Sequence, residues 1–268
     1  MLRPVNCTMA ALGTFIGYSI ATGLIQAQLG ILVAMASAFL VCGGGMAIND
    51  YYDRAIDKKL HPEKPIPAGK VSPKAALTYS ALLFLAGNAL SFHYLAATPF
   101  FIVFAFTLLL ILYSKFLSKA KYVGNVVVAS GTAFTLVFGA SLVGNYSAIV
   151  FFAASALFAN IARELIKDLE DLKADSGFKK TLPMILDKKK ISLLVLACYL
   201  AAIITAFIPL VALSFGGIFF TAMISAASIG FLYSYKLARE RNYAKAQLVS
   251  KAAMLLALIG FLSGVAAP

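Results

Sequence analysis

Charged residues are scarce in this sequence, since Asp, Glu, Lys and Arg together make up 13% of its 268 residues. A soluble domain carries about 25%. Hydrophobic residues reach 61% and the mean hydropathy is +0.89. The composition therefore excludes a soluble globular domain and predicts an integral membrane protein.

Cysteine and low-complexity sequence are scarce as well. Cys7, Cys42 and Cys198 show no paired spacing and lie in or beside apolar runs, which indicates packing residues and neither a disulfide framework nor a zinc site. No low-complexity linker divides the chain, so a single domain over 1–268 is expected. Only Arg3 precedes the first apolar run, and this favours an uncleaved helix over a signal peptide.

Nine apolar runs approach twenty residues, the length that crosses about 30 Å of hydrocarbon as an α-helix. The predicted spans are 8–28, 30–48, 75–94, 98–117, 122–143, 146–166, 191–212, 215–233 and 246–266. Core helices of a soluble protein are the alternative explanation, but nine such runs make it improbable. The sequence predicts an all-α polytopic membrane protein with nine transmembrane helices.

Charge is missing from every second loop. The charge-free connections lie at 26–30, 95–100, 144–147 and 209–217. All 23 basic residues lie at the N-terminus, in the other loops or at the helix ends beside them. Lys and Arg stay on the cytoplasmic side during insertion, so the N-terminus is predicted inside and the C-terminus outside. The net charge of +12 then attracts anionic lipid or an anionic substrate and not nucleic acid.

Only eleven acidic residues are present, and ten of them flank two loops, 49–74 and 167–190. Two sets of three aspartates share the spacing i, i+3, i+7. The first acidic stripe is Asp50, Asp53 and Asp57, and the second is Asp168, Asp171 and Asp175. These offsets keep three side chains within an arc of about 60° on a helix. Asn49 adjoins the first stripe, while Glu164 and Asn160 extend the second into span six.

Such stripes need a positive charge beside them. Placing one Asp at mid-membrane costs about 2.5–3.5 kcal/mol of free energy, and like charges one helical turn apart repel each other. A solvated helix end could explain one stripe, but two with identical spacing favour a bound cation. Mg²⁺ typically takes one or two carboxylates together with phosphate oxygens of a substrate. The six aspartates are therefore candidate metal and catalytic residues, with Mg²⁺ as the cofactor and a diphosphate as the substrate.

Basic residues are interleaved with both stripes. Arg54 and Lys64 lie beside the first stripe, and Arg163 and Lys167 lie beside the second. Cations at these positions suit the oxygens of a departing diphosphate. For any single one of them, an anchor at the cytoplasmic face is the alternative role.

Two motifs carry a family resemblance. NDYYDRAID followed by KPIPAG resembles the first aspartate-rich motif of the UbiA superfamily of intramembrane prenyltransferases, and DLEDLKAD resembles the second. The resemblance implies a helical bundle around a central cavity open to the lipid, with the stripes facing each other across it. It also implies that Mg²⁺ on the aspartates assists ionisation of a prenyl diphosphate, whose allylic cation an acceptor captures.

The resemblance also implies substrate-binding residues. It assigns Asn49, with the six aspartates, to the metal and diphosphate site. Arg54 and Lys64, which are interleaved with the first stripe, are candidate substrate contacts. A family Tyr and Lys after span four are matched loosely by YSKFLSK, in which Tyr113 aligns and the lysine is Lys115 or Lys119.

Two longer stretches of the sequence indicate which acceptor to expect. RPVNCTMAALGTFIG, which contains the substrate-binding candidate Asn6, and NDYYDRAIDKKLHPEKPIPAGK are most similar to family members that join a second geranylgeranyl chain to the free hydroxyl of geranylgeranylglyceryl phosphate. An aromatic acid such as 4-hydroxybenzoate is the alternative acceptor within the family. The expected partners are a prenyl diphosphate, a lipid-like acceptor and the bilayer.

Two other classes of membrane protein are disfavoured. A CDP-alcohol phosphotransferase would carry its acids in one stretch, whereas here they are split across the chain. A secondary transporter would place its ionisable residues near the membrane midplane, whereas here they cluster at one face, with Glu164 as the nearest exception.

The stripes generate a first prediction. Asp53→Ala or Asp171→Ala should abolish prenyl transfer, because each removes a carboxylate from the face that holds the metal, while the bundle stays folded. EDTA should have the same effect on the unaltered protein. The measurements are product formation at saturating Mg²⁺ and thermal unfolding in detergent. Normal turnover would show that the substituted aspartate is not a catalytic ligand.

Overall fold

A computed structural model of the chain describes residues 1–117, 121–172 and 181–266. Within them are nine long α-helices and no β-strand. The helices are α1 (Pro4–Thr22), α2 (Leu29–Leu60), α3 (Pro73–Tyr94), α4 (Ala97–Leu112), α5 (Lys121–Ser141), α6 (Ile149–Glu170), α7 (Lys188–Ala212), α8 (Ile218–Arg239) and α9 (Tyr243–Val265). A π-helical turn, Tyr113–Leu117, extends α4, and a short 3-10 helix, Leu182–Met184, precedes α7.

The helices correspond one to one to the predicted spans. In the described part of the chain, eight of the nine are long and apolar enough to cross a membrane, and α1 is the exception. The predicted all-α membrane bundle is confirmed, and the three cysteines are free thiols as expected. The predicted start of the first long loop is wrong, because α2 continues as helix to Leu60. At 32 residues it is about 48 Å long, so its polar C-terminal turns extend beyond the hydrocarbon.

The charged residues gather at one end of the bundle, here called the charged end. The four connections at the opposite end contain no Asp, Glu, Lys or Arg; they are residues 23–28, 95–96, 142–148 and 213–217. At the charged end, α2, α4, α6 and α8 finish and the helices that follow them begin. Both acidic stripes therefore lie at the same end.

Helices α1 and α5 pack backbone to backbone inside the bundle. A Cβ atom added to Gly17 on α1 would lie 2.1 Å from the Leu136 carbonyl oxygen, and one added to Gly139 on α5 would lie 1.9 Å from that of Thr14. Gly13 lies one turn before Gly17, and a Cβ there would be 2.3 Å from Thr135 Oγ1. Paired small residues of this kind let membrane helices approach closely.

The α1–α5 pair connects two halves of the bundle. Helix α1 also packs on α2 and α9, while α5 also packs on α4 and α6. One hydrophobic core lies among α2, α3 and α4, and the larger one lies among α6, α7, α8 and α9, with residues of α1 and α5 contributing to both. In the described residues, α2 and α6 do not pack against each other. The positions of the two stripes therefore depend on α1 and α5.

Glycines in the middle of α2 bring α3 and α4 close to it. A Cβ at Gly44 would lie 2.8 Å from the Phe84 ring on α3, and one at Gly45 would lie 2.8 Å from Leu110 Cδ1 on α4. Helix α2 runs without interruption through these residues. The glycines thus allow close packing in the smaller half without interrupting the helix that carries the first stripe.

The α1–α5 contact predicts that alanine substitution at two glycines of α5 has different effects on stability. Gly139→Ala should destabilise the bundle by about 1–3 kcal/mol, because the new methyl group has no space against the α1 backbone. Gly131→Ala is the matched control, since a Cβ there would meet only Phe106 Cζ at 3.5 Å. The control should be neutral or stabilising by about 0.5–1 kcal/mol. Thermal unfolding in detergent measures both, and equal shifts would contradict the contact.

Candidate functional site

The first acidic stripe lies on the last turns of α2. Asp50 and Asp57 are each 5% exposed, and Asp53 is half-buried. Asn49 donates a hydrogen bond from Nδ2 to Asp53 Oδ2 at 3.2 Å. All three aspartates are on one continuous helix, so the helical geometry that their spacing predicted is confirmed.

Three buried oxygens on this part of α2 accept no hydrogen bond from the described residues. They are Asn49 Oδ1, Asp50 Oδ1 and Asp57 Oδ2. A buried acceptor without a donor costs about 1–3 kcal/mol. Carboxylate and amide oxygens are also the ligands that hard divalent cations prefer. The first stripe therefore fits a small cation such as Mg²⁺.

Protein cations neutralise part of the first stripe. Lys64 Nζ lies 2.8 Å from Asp57 Oδ1. The α-amino group of Met1 lies 3.2 Å from Asp50 Oδ2, and Arg3 Nη2 lies 3.6 Å from Asp50 Oδ1. These cations come from segments on either side of α2 in the sequence. They bring positive charge to the place where a phosphate group would meet the aspartates.

The second acidic stripe begins on the last turn of α6. Asp168 is completely buried, and Asn125 on α5 donates a hydrogen bond from Nδ2 to its Oδ2 at 2.7 Å. Asp171 is the half-buried residue that ends the helix. Asp175 lies outside the described residues. The structure therefore shows two of the three predicted aspartates, both at the charged end.

Buried polar residues continue from Asp168 along α6. Glu164 forms an ion pair with the neighbouring Arg163. One turn further, Asn160 donates a hydrogen bond from Nδ2 to Thr132 Oγ1 on α5 at 3.2 Å. Asp168, Glu164 and Asn160 are thus satisfied at least in part by protein groups, as buried polar groups in hydrocarbon require. The predicted extension of the second stripe along span six is confirmed, since Glu164 and Asn160 both lie on α6.

Two of the predicted substrate-binding residues contact their own helix. Arg54 is exposed; its Nη1 donates to the Tyr51 carbonyl at 2.7 Å, and the guanidinium lies 4.4 Å from the centre of the Tyr51 ring. Lys115 is also exposed, with Nζ 4.9 Å from the centre of the Phe116 ring. Neither contact includes an aspartate of the stripes.

Three further candidates differ in their surroundings. Tyr113 begins the π-helical turn and is half-buried against α5, where a Cβ at Gly124 would lie 3.0 Å from its ring. Asn6 is exposed on α1. Lys119 lies outside the described residues. The roles of these side chains in substrate binding stay predictions.

Sequence reasoning missed Asn125. It belongs to neither aspartate motif, and its partner is 43 residues away in the sequence. The available signal was a single polar amide in the otherwise apolar start of span five, GNVVVA. A buried amide at that position needs a polar partner, and the second stripe supplies it.

A complete metal-binding cluster is not assembled by the described residues. Among them, no group of three or more His, Cys, Asp or Glu side chains is close enough to hold a metal ion. In the described residues, the two stripes lie on helices that make no extensive contact with each other, and Asp175 is outside the described part. A site that shares Mg²⁺ with a substrate needs only one or two carboxylates, which each stripe can supply.

Comparisons with known proteins agree with the motifs. The UbiA prenyltransferase family matches residues 10–262. A relative named digeranylgeranylglyceryl phosphate synthase from Methanothrix thermoacetophila is 33% identical, covering 98% of this chain and 97% of its own. Another of that name, from Thermococcus kodakarensis, is 35% identical, covering 97% of this chain and 94% of its own.

Solved structures share the architecture. A structure of digeranylgeranylglyceryl phosphate synthase is 28% identical with a TM-score of 0.83, covering 98% of this chain and 95% of its own. A UbiA homologue from Archaeoglobus fulgidus bound to DMAPP and Mg²⁺ is 16% identical with a TM-score of 0.66, covering 97% of this chain and 99% of its own. At that identity the second likeness shows the fold alone.

The contact between α5 and α6 gives a prediction for Asn125. Asn125→Ala should lower stability by about 1–3 kcal/mol, because the buried Asp168 carboxylate loses this donor. The same substitution should cost much less when Asp168 is already Ala. Ser130→Ala on α5 is the control, since among the described residues that hydroxyl binds only carbonyls of its own helix. Thermal unfolding of the two single variants and the double variant measures these losses of stability. An equal cost of Asn125→Ala with Asp168 and with Ala at position 168 would contradict a coupling between the two side chains.

Proposed function

Because the chain belongs to the UbiA prenyltransferase family, we propose that it transfers a geranylgeranyl group from geranylgeranyl diphosphate to the free hydroxyl of geranylgeranylglyceryl phosphate. This reaction makes the second ether bond of an archaeal-type membrane lipid. The acceptor is supported by one observation above all, the identity of 33–35% along nearly the whole chain to relatives named for that product.

The reaction is a substitution at the first carbon of the prenyl chain. The bond from that carbon to the diphosphate oxygen breaks, and a bond to the acceptor hydroxyl oxygen forms. The hydroxyl proton leaves with the released diphosphate, which is a sufficient base for a weak nucleophile that captures a carbocation. The chain therefore needs to bind two phosphorylated amphiphiles and to stabilise one departing diphosphate.

The acidic stripes are the part of the chain that we assign to Mg²⁺. The buried oxygens of Asn49, Asp50 and Asp57 fit such an ion because they accept no hydrogen bond from the described residues. Asp53, Asp168, Asp171 and Asp175 complete the proposed ligand set. When bound, Mg²⁺ neutralises charge that develops on the departing diphosphate.

A subset of the cations at the charged end is assigned to the phosphate groups. Lys64 and Arg3 already lie beside the first stripe, and Arg163 lies beside the second. The proposal also assigns Arg54, Tyr113, Lys115, Lys119 and Asn6 to substrate binding. Charge-assisted hydrogen bonds from such groups are about twice as strong as neutral ones, so they can hold the headgroups of both substrates in fixed positions.

The bundle suits amphiphilic substrates because its polar and apolar parts are segregated. The phosphate groups would bind at the charged end, and the isoprenoid chains would extend between the apolar helices into a central cavity open to the lipid. Positive residues remain on the cytoplasmic side, so the charged end and the N-terminus are assigned to the cytoplasm and the C-terminus to the outside. Both substrates then enter from the inner leaflet.

The proposed acceptor gives a direct test. Purified protein with Mg²⁺ and geranylgeranyl diphosphate is incubated with either geranylgeranylglyceryl phosphate or 4-hydroxybenzoate, and the products are identified by mass. Product should form only with the glyceryl phosphate. Asp171→Ala protein is the matched control and should give no product with either acceptor. Product with the aromatic acid alone would move the assignment to quinone biosynthesis.

A further inference from the structure

Lys64 forms an ion pair with an aspartate of the first stripe. Its Nζ lies 2.8 Å from Asp57 Oδ1, and the side chains are 27% and 7% exposed, respectively. The other carboxylate oxygen, Asp57 Oδ2, is buried and accepts no hydrogen bond from the described residues. One side of this carboxylate is thus neutralised by the protein, and the other side has no hydrogen bond from the described residues that a ligand would have to displace.

The backbone of the loop after α2 sets the position of Lys64. Its N–H donates to the His61 carbonyl at 3.1 Å, and its carbonyl accepts from the Ala68 N–H at 2.9 Å. The Asp57 carbonyl accepts from the His61 N–H at 2.7 Å, so the loop is anchored to the same residue whose side chain Lys64 binds. The two prolines that follow, Pro65 and Pro67, further restrict the loop.

The side chain of Lys64 has more freedom than its backbone. An ammonium group on a flexible four-carbon stem presents three donors and can change partners without movement of the loop. A Mg²⁺ ion at Asp57 would compete for the same carboxylate, since like charges repel at short range. A phosphate group arriving with the metal would offer the displaced ammonium new acceptor oxygens.

We propose that Lys64 is a displaceable counter-cation, which neutralises Asp57 in the metal-free protein and transfers to a phosphate oxygen when Mg²⁺ and substrate bind. The proposal rests on the function proposed above and adds a second state for this residue. A lysine that only binds phosphate would leave the affinity for Mg²⁺ alone unchanged. A displaceable counter-cation lowers the affinity for Mg²⁺ alone, because the metal must first break the ion pair between Lys64 and Asp57.

Removing the ammonium therefore has opposite effects on two ligands. In Lys64→Gln the affinity for Mg²⁺ alone should increase by at least about fivefold, the low end of a typical coupling between sites. The affinity for a phosphate group should fall by about tenfold, because a charge-assisted hydrogen bond is lost. A purely structural role would instead weaken both.

The experiment measures binding without turnover. Titration calorimetry on the purified full-length protein gives the Kd for Mg²⁺ alone, and then for inorganic diphosphate and for geranylgeranylglyceryl phosphate with Mg²⁺ present. The anion whose Kd rises identifies the phosphate group that Lys64 binds. Lys70→Gln is the matched control, since Lys70 is exposed in the same loop, and it should change no Kd. Lys64→Arg keeps the charge and should leave Mg²⁺ affinity near that of the parent.

The outcomes separate this proposal from the function on which it rests. Unchanged or weaker Mg²⁺ binding in Lys64→Gln overturns the counter-cation role, whatever acceptor the enzyme uses. Tighter Mg²⁺ binding with unchanged Kd for both phosphorylated ligands overturns the transfer to phosphate. If Lys64→Gln does not fold, as judged by thermal unfolding, Lys64→Met is titrated in its place. If no product forms with the glyceryl phosphate, the proposed acceptor is wrong, but the change in Mg²⁺ affinity of Lys64→Gln still tests the counter-cation role.

Discussion

Neutralisation of buried carboxylates is the constraint on which this structure depends. Asp50, Asp57, Asp168 and Glu164 are each no more than 5% exposed, and an isolated buried carboxylate is too costly to persist as an ion. Each has a protein partner, namely a cation for three of them and an amide for Asp168. The partners come from the N-terminal segment, the loop after α2, α5 and α6, so the need for cations and hydrogen-bond donors adds polar contacts between segments that also pack together.

This constraint also explains why the site is built on helix ends. The C-terminal turns of α2 and α6 lie at the charged end of the bundle, and α2, with 32 residues, is longer than the hydrocarbon layer is thick. Further inside, the polar residues of α6 are paired with protein groups, as Asn160 is with Thr132. The polarity of the site therefore decreases with depth, which suits a substrate with a charged headgroup and a hydrocarbon chain.

Much of this architecture could be predicted from the chain, because hydropathy and periodicity are local signals. The nine helices and the helical stripe of Asp50, Asp53 and Asp57 follow from them. The partners of the aspartates could not be predicted in the same way. Asn125 meets Asp168 across two helices, and Lys64 returns to Asp57 through a loop, so both contacts depend on tertiary structure. The first long loop begins after Leu60 and not at residue 49, because charged residues on one face of a helix do not by themselves end it.

The glycine contact between α1 and α5 has a consequence for how the chain is assembled. Helix α1 is the one described helix that does not qualify as a membrane span by length and apolarity, and part of its buried face lies against α5, which begins at Lys121. At about 5–20 residues per second of synthesis, roughly ten seconds separate the two. During that interval the first helix can pack on α2 but has no contact with Gly139, so this backbone contact of the N-terminal segment forms only after the fifth helix has been made.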